Sequence, residues 1–182
     1  MLFKKRSRQS EALLVFLDID GVLNTSNSFN TKYELLSNNL DALSHLVSSG
    51  ERAGFQVKII LTSTWRLGYA PDYDDCSPQV KALLDKLSGR GITLAGITPI
   101  YKNATRDKEI SRYIREFSLS HKNFAYVTLD DDVTIYDKTK IKDIHLYKVN
   151  GNTGLTKADI IKILDMVSGG STEVKKWKKT GI

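Results

Sequence analysis

Leu13-Leu14-Val15-Phe16-Leu17-Asp18-Ile19-Asp20-Gly21 is the stretch on which the reading of this chain turns. Its first five residues are an apolar run bounded by a turn signal, the pattern of a buried strand. The run stops at two carboxylates one residue apart. They can face the same crevice once the backbone leaves extended geometry, and Gly21 permits that departure. One carboxylate can then attack a phosphorus while the other handles the leaving-group proton.

Working outward, Val57–Leu61 and Phe124–Leu129 read as further buried strands. Ile144–Val149 is a fourth, followed by the turn signal Asn150-Gly151-Asn152, and Ile92–Leu94 a short fifth. Between them the apolar period becomes helical. Leu40, Leu43, Leu46 and Val47 follow Ser37, a candidate N-cap, and precede Gly50, a candidate stop. Val80, Leu83, Leu84 and Leu87 follow Ser77-Pro78 and end at Gly89; Ile110, Tyr113, Ile114 and Phe117 form the next stripe. Thr156 and Asp159 have capping-box spacing ahead of Ile160, Ile161, Leu164 and Val167. Leu67–Ser77, with Asp72, Asp74 and Asp75, reads as an exposed loop. Strands alternating with helices predict an α/β fold with a parallel sheet covered on both faces. In such sheets the working residues gather at the carboxyl ends of the strands.

The other strand ends carry chemistry too. Phe124–Leu129 runs into Asp130-Asp131-Asp132. Carboxylates crowded at two strand ends are costly without a cation among them, and hard oxygen ligands suit Mg²⁺. Val57–Leu61 delivers Thr62-Ser63-Thr64, hydroxyl donors suited to phosphoryl oxygens. Trp65 reads as core. Arg66, just past a strand end, is placed to meet an anion as readily as to serve structure.

With these residues in hand, the chain resembles the haloacid dehalogenase (HAD) superfamily of phosphohydrolases over about Leu13 to Val167. Asp18-Ile19-Asp20-Gly21-Val22-Leu23-Asn24 is similar to that family's first motif, Thr62 to its second, and Asp130-Asp131 to its acidic fourth. Ser63-Thr64-Trp65-Arg66, Arg106-Asp107-Lys108-Glu109-Ile110 and Gly154-Leu155-Thr156 are similar to the HAD domain of Swiss-army-knife RNA-repair proteins. The resemblance implies a three-layer sandwich with the Leu13–Leu17 strand central. It implies Mg²⁺-dependent phosphomonoester hydrolysis, with Asp18 as nucleophile and Asp20 as acid and base. Thr62, Ser63 and a third-motif cation would bind phosphate; Arg106 fits that cation, with Lys108 and Lys102 near enough to compete. Asp18, Asp20 through its carbonyl, and Asp131 would hold the metal, with Asp130 and Asp132 as alternatives to Asp131.

The family's small-metabolite enzymes commonly insert a cap domain on either side of the second motif. Here 44 positions separate Asp18 from Thr62 and another 44 separate Thr62 from Arg106, leaving no room for one. A capless crevice gated by an Asn24–Tyr33 flap suits a phosphate displayed on a macromolecule. A phosphoprotein, phosphotyrosine being one case, is the favoured expectation. A polynucleotide-end phosphatase of RNA-repair type and a catalytically silent HAD-fold binding module are the alternatives.

Composition bounds the rest. The 182 residues carry 27 Lys and Arg against 21 Asp and Glu, a net charge of +6. Four basic residues fall at Lys4, Lys5, Arg6 and Arg8, and four at Lys175, Lys176, Lys178 and Lys179, leaving about −2 for the remainder. The expected organisation is a basic tail over 1–11, a phosphatase domain over 12–168 and a basic tail over 169–182. Basic tails of this kind are solvated or make weak contact with anionic membranes. One cysteine excludes an internal disulfide framework. No apolar run nears the ~18 residues of a membrane span, and the six apolar residues from Ala12 stop short of a signal peptide. A cytoplasmic location is expected. Cysteine-phosphatase chemistry fails because Ala82 stands six residues after Cys76, where Arg is required. His45, His121 and His145 are scattered, and Gly91 and Gly96 precede Ile97, not the Lys of a P-loop.

Overall fold

The computed structural model describes residues 11–25, 34–140 and 143–168. Both basic tails, apart from Glu11, and positions 26–33 of the Asn24–Tyr33 flap lie outside the described residues. Five strands, β1 (Glu11–Leu17), β2 (Phe55–Leu61), β3 (Leu94–Ile97), β4 (Phe124–Asp130) and β5 (Leu146–Lys148), form one sheet in the order β3-β2-β1-β4-β5. Every pairing is parallel. The helices are α1 (Ser37–Arg52), α2 (Pro78–Ser88), α3 (Arg106–Ser120) and α4 (Lys157–Ser168).

Strand β1 is central because its residues are apolar on both faces. Leu13, Val15 and Leu17 face one layer, where Leu40, Leu43 and Leu46 of α1, Leu83 and Leu87 of α2 and Ile160, Ile163 and Leu164 of α4 bury their stripes. Leu14 and Phe16 face the other, filled by Ile110, Tyr113, Ile114 and Phe117 of α3 and by Tyr136 and Ile144. The result is a three-layer sandwich. After β3 the chain returns across the sheet through α3 to pair β4 with β1, so the topological switch falls between β1 and β4. Among the described residues nothing folds as a separate cap, and no helix is long and apolar enough to cross a membrane.

Caps lie where local chemistry puts them. Ser77 Oγ accepts the Val80 N–H at 3.3 Å with Pro78 in the first helical turn. Asp159 Oδ2 accepts the Thr156 N–H at 2.9 Å, the return half of the capping box. Strands β1, β2 and β4 extend the expected runs by one or two residues at one end, and other boundaries shift for specific reasons. Helix α1 begins at Ser37 itself and runs through Gly50 to Arg52; Gly50 is a close-approach position, where a Cβ would meet Val57 Cγ2 at 2.7 Å. Strand β3 lies at Leu94–Ile97 because pairing with β2 begins only at Leu94, while Ile92 is a buried residue of the preceding turn. Strand β5 shortens to Leu146–Lys148 because His145, at φ +47°, breaks extended geometry after Ile144. The Leu67–Ser77 segment is exposed over Pro71–Asp75 yet ordered by the 3-10 turns Thr64–Gly68 and Tyr73–Asp75, with Cys76 buried.

Candidate active site

Register puts three strand ends side by side. The Asp18 N–H donates to the Leu129 carbonyl at 3.0 Å, and the Thr62 N–H to the Leu17 carbonyl at 2.9 Å. Asp18, Thr62 and Asp130 therefore emerge together at the switch point, all buried. Helix α3 begins at Arg106 and brings its guanidinium to this point. Arg106 Nη1 stands 2.6 Å from Asp18 Oδ1 and 2.6 Å from Asp130 Oδ2. Asp130 is further held by the Tyr136 hydroxyl, which donates to Oδ2 at 2.6 Å, and by the Asp132 N–H, which donates to Oδ1 at 2.9 Å.

Asp131 completes an acidic cluster: Asp18, Asp130 and Asp131 each offer a carboxylate oxygen within 4.8 Å of the others. Two glycines make room for it. A Cβ on Gly21, itself at φ +78°, would stand 2.1 Å from Asp131 Cγ, and one on Gly151 would stand 2.3 Å from Asp131 Oδ2. A cleft of about 450 Å³ opens beside Asp131, lined by Lys148, Val149, Asn150, Gly151 and Asn152.

Burial sets the electrostatics. Loss of solvent pushes the Asp18 carboxyl up to about 7, the Asp130 charge adds to this, and Arg106 opposes it. Asp131 is raised by burial and by Asp130 in the same way. Burial pulls the Arg106 guanidinium down, but Asp18 and Asp130 outweigh it and hold it above its ordinary value. A site in which three acids confront one arginine favours further positive charge.

The remaining expected residues separate clearly. Asp20 lies in the turn after β1, where Asn24 Nδ2 donates to its Oδ1 at 2.8 Å and Trp65 Nε1 donates to its Oδ2 at 3.1 Å. Thr62 Oγ1 is buried, with no hydrogen-bond partner among the described residues. The Ser63 hydroxyl caps the turn that follows, accepting the Trp65 N–H at 3.4 Å. Lys102 and Lys108 are exposed, whereas Arg106 reaches both Asp18 and Asp130. Asp132 turns away: Thr134 donates to its carboxylate through N–H and hydroxyl, at 2.8 and 2.6 Å, which lowers its pKa. The anion that Arg66 meets is Glu109 of the same chain.

A family model for the HAD domain in Swiss Army Knife RNA repair proteins matches residues 14–160. The chain belongs to this family. The matched span contains all three strand ends, Arg106 and the acidic cluster. No curated protein matches the chain.

Membership in this HAD family brings chemistry of the phosphatase type, and HAD domains typically use Mg²⁺. The residues fit such an ion: a set of carboxylate oxygens, two of them from acids whose ionised form burial disfavours, is what a hard divalent cation takes. Sequence reading assigned no part in this HAD site to Asn24, Tyr136 or Glu109, and it read Trp65 as core. Trp65 is indeed buried, but its indole N–H reaches Asp20. Asn24 stands within the first motif, which was a signal for it. Tyr136, beyond a 3-10 turn, left none.

Proposed function

We propose that the protein hydrolyses phosphomonoesters through an aspartyl-phosphate on Asp18. The observation that carries this reading is Arg106 bridging Asp18 and Asp130 at 2.6 Å each, with Asp131 converging on the same point. An Asp18 carboxylate oxygen attacks phosphorus in line, and the bond from phosphorus to the leaving oxygen breaks. Asp20 gives its proton to that oxygen, then takes one from the water that cleaves the acyl phosphate and restores Asp18. Arg106 and the Thr62 hydroxyl, which has no partner among the described residues, hold the oxygens of the transferring group. Asp18, Asp131 and the Asp20 carbonyl would hold Mg²⁺, which supplies the positive charge that offsets repulsion between carboxylate and phosphate. Asp130, held by Tyr136 and the Asp132 N–H, orients Arg106.

For the substrate, the family's description favours a phosphorylated polynucleotide end. Lys148, in the cleft beside Asp131, is suited to an adjacent backbone phosphate. A phosphoprotein is the second reading, supported by the capless crevice and by the near-neutral stretch between the basic tails. Turnover of 4-nitrophenyl phosphate with Mg²⁺, abolished in Asp18→Asn, tests the reaction. Comparing kcat/KM on 3′- and 5′-phosphorylated oligonucleotides with phosphotyrosine and phosphoserine peptides tests the substrate, and a peptide ahead by tenfold promotes the second reading.

A further inference from the structure

We propose that Trp65 is a positioning residue for Asp20, aiming its carboxyl at the leaving group; this rests on the hydrolase reading above. Asp20 lies past the end of β1, in a turn, where no strand pairing fixes its side chain. Each of its two oxygens has its own donor. Asn24 Nδ2 holds Oδ1 at 2.8 Å, and Asn24 is itself fixed by the Gly21 N–H, which donates to Asn24 Oδ1 at 2.8 Å. Trp65 Nε1 holds Oδ2 at 3.1 Å from a residue 45 positions away.

The indole is well suited to this. Trp65 is 6% exposed and packs into the main core, so its ring has one orientation. It sits on the 3-10 turn that directly follows Thr62 and Ser63, so the turn that presents the Thr62 hydroxyl also anchors Asp20. An indole N–H donates and never accepts, so it cannot compete for the proton Asp20 carries. Each carboxyl oxygen keeps a second lone-pair direction for that proton. Tethering both oxygens removes the rotation that would otherwise scatter the acid away from the leaving oxygen, and a proton donor works only within hydrogen-bond reach.

Leaving-group dependence distinguishes positioning from packing. Expulsion of 4-nitrophenolate needs no proton, whereas the alkoxide of glycerol 2-phosphate must be protonated as the bond to phosphorus breaks. Trp65→Phe keeps most of the buried ring and removes the N–H. Its kcat should fall about tenfold further on glycerol 2-phosphate than on 4-nitrophenyl phosphate, in line with the cost of misplacing a catalytic group. Asp20→Asn should show the same asymmetry, larger. Equal losses in Trp65→Phe beside an asymmetric Asp20→Asn would overturn the inference and leave the hydrolase reading standing. Activity surviving in Asp18→Asn, or equal losses in Asp20→Asn, would instead remove the reading beneath it. Should thermal melts show Trp65→Phe unfolded, Trp65→Leu removes the same N–H with a different apolar filling: the asymmetry there supports the inference, and equal losses overturn it.

Discussion

Arg66 and Glu109, 43 residues apart, form a buried ion pair. The Arg66 guanidinium also donates to the carbonyls of Thr62 and Ser63, and Glu109 Oε1 accepts the Tyr101 N–H at 3.2 Å. Glu109 lies one helical turn after Arg106. The pair therefore ties the end of β2, where Thr62 emerges, to the helix that carries Arg106.

Glu109→Ala should be among the most damaging single changes outside the reacting groups. It leaves the Arg66 charge buried without its carboxylate, a loss of about 3–5 kcal/mol. Denaturant unfolding checks this. Replacing both partners, as Arg66→Met with Glu109→Leu, should recover more than half of the lost stability, because no uncompensated charge remains. A Glu109→Ala protein as stable as wild type would mean the pair is solvated in solution.

Asp18 makes stability depend on pH in a defined sense. Its folded pKa of about 7 lies above its ordinary value, so the unfolded chain gives up this proton first as pH rises. Between about pH 4 and 7 the metal-free protein therefore loses stability, and above pH 7 the penalty is fully present. Asp18→Asn removes it. In EDTA the variant should gain about 2 kcal/mol over wild type at pH 8, at roughly 1.4 kcal/mol per pKa unit and with allowance for relaxation. That is a Tm difference of about 5 °C for a chain of this length. The difference should shrink steadily toward pH 4. A pH-independent difference would place the titrating charge elsewhere.

Gly151→Ala tests the room made for Asp131. The new methyl would collide with the Asp131 carboxylate, which must swing away while the fold holds. Mg²⁺ should raise the Tm of wild type, as any ligand of the folded state does. In Gly151→Ala that rise should require about tenfold more Mg²⁺, within the range seen when ligand orientation is lost. Asp131→Asn should abolish it. Equal Mg²⁺ responses in all three proteins would remove Asp131 from the metal site.

Lys148→Ala addresses the cleft beside Asp131. KM for a phosphorylated oligonucleotide should rise about fivefold, with a shallower salt dependence, as expected from losing one phosphate contact. KM for 4-nitrophenyl phosphate should move by less than about twofold, since a small ester has no second phosphate to lose. Parallel changes on both substrates would assign Lys148 to the reacting phosphate instead.

The residue order alone carried the parallel sheet, the helical stripe after Ser77-Pro78, the Thr156–Asp159 box and the acidic strand ends. These are local features: apolar burial is non-directional, so a period of two or of 3.6 states which face goes inside wherever the partner lies. Edge strands were less legible. Among the described residues one side of β3 and of β5 is unpaired, so their limits follow from register with a single neighbour and from the left-handed His145, neither of which leaves an apolar signature. The hold on the site belongs to the tertiary structure alone. Arg106 had two rival lysines until α3 was docked, and Asp20 gains its second tether only from Trp65, 45 residues away. Tyr136 on Asp130 and Glu109 on Arg66 are of the same kind. A hydrogen bond or ion pair needs two particular groups within about 3 Å at the right angle, a distance far smaller than a helix diameter. Only the packing of whole elements, each placed by its apolar face, brings such pairs together.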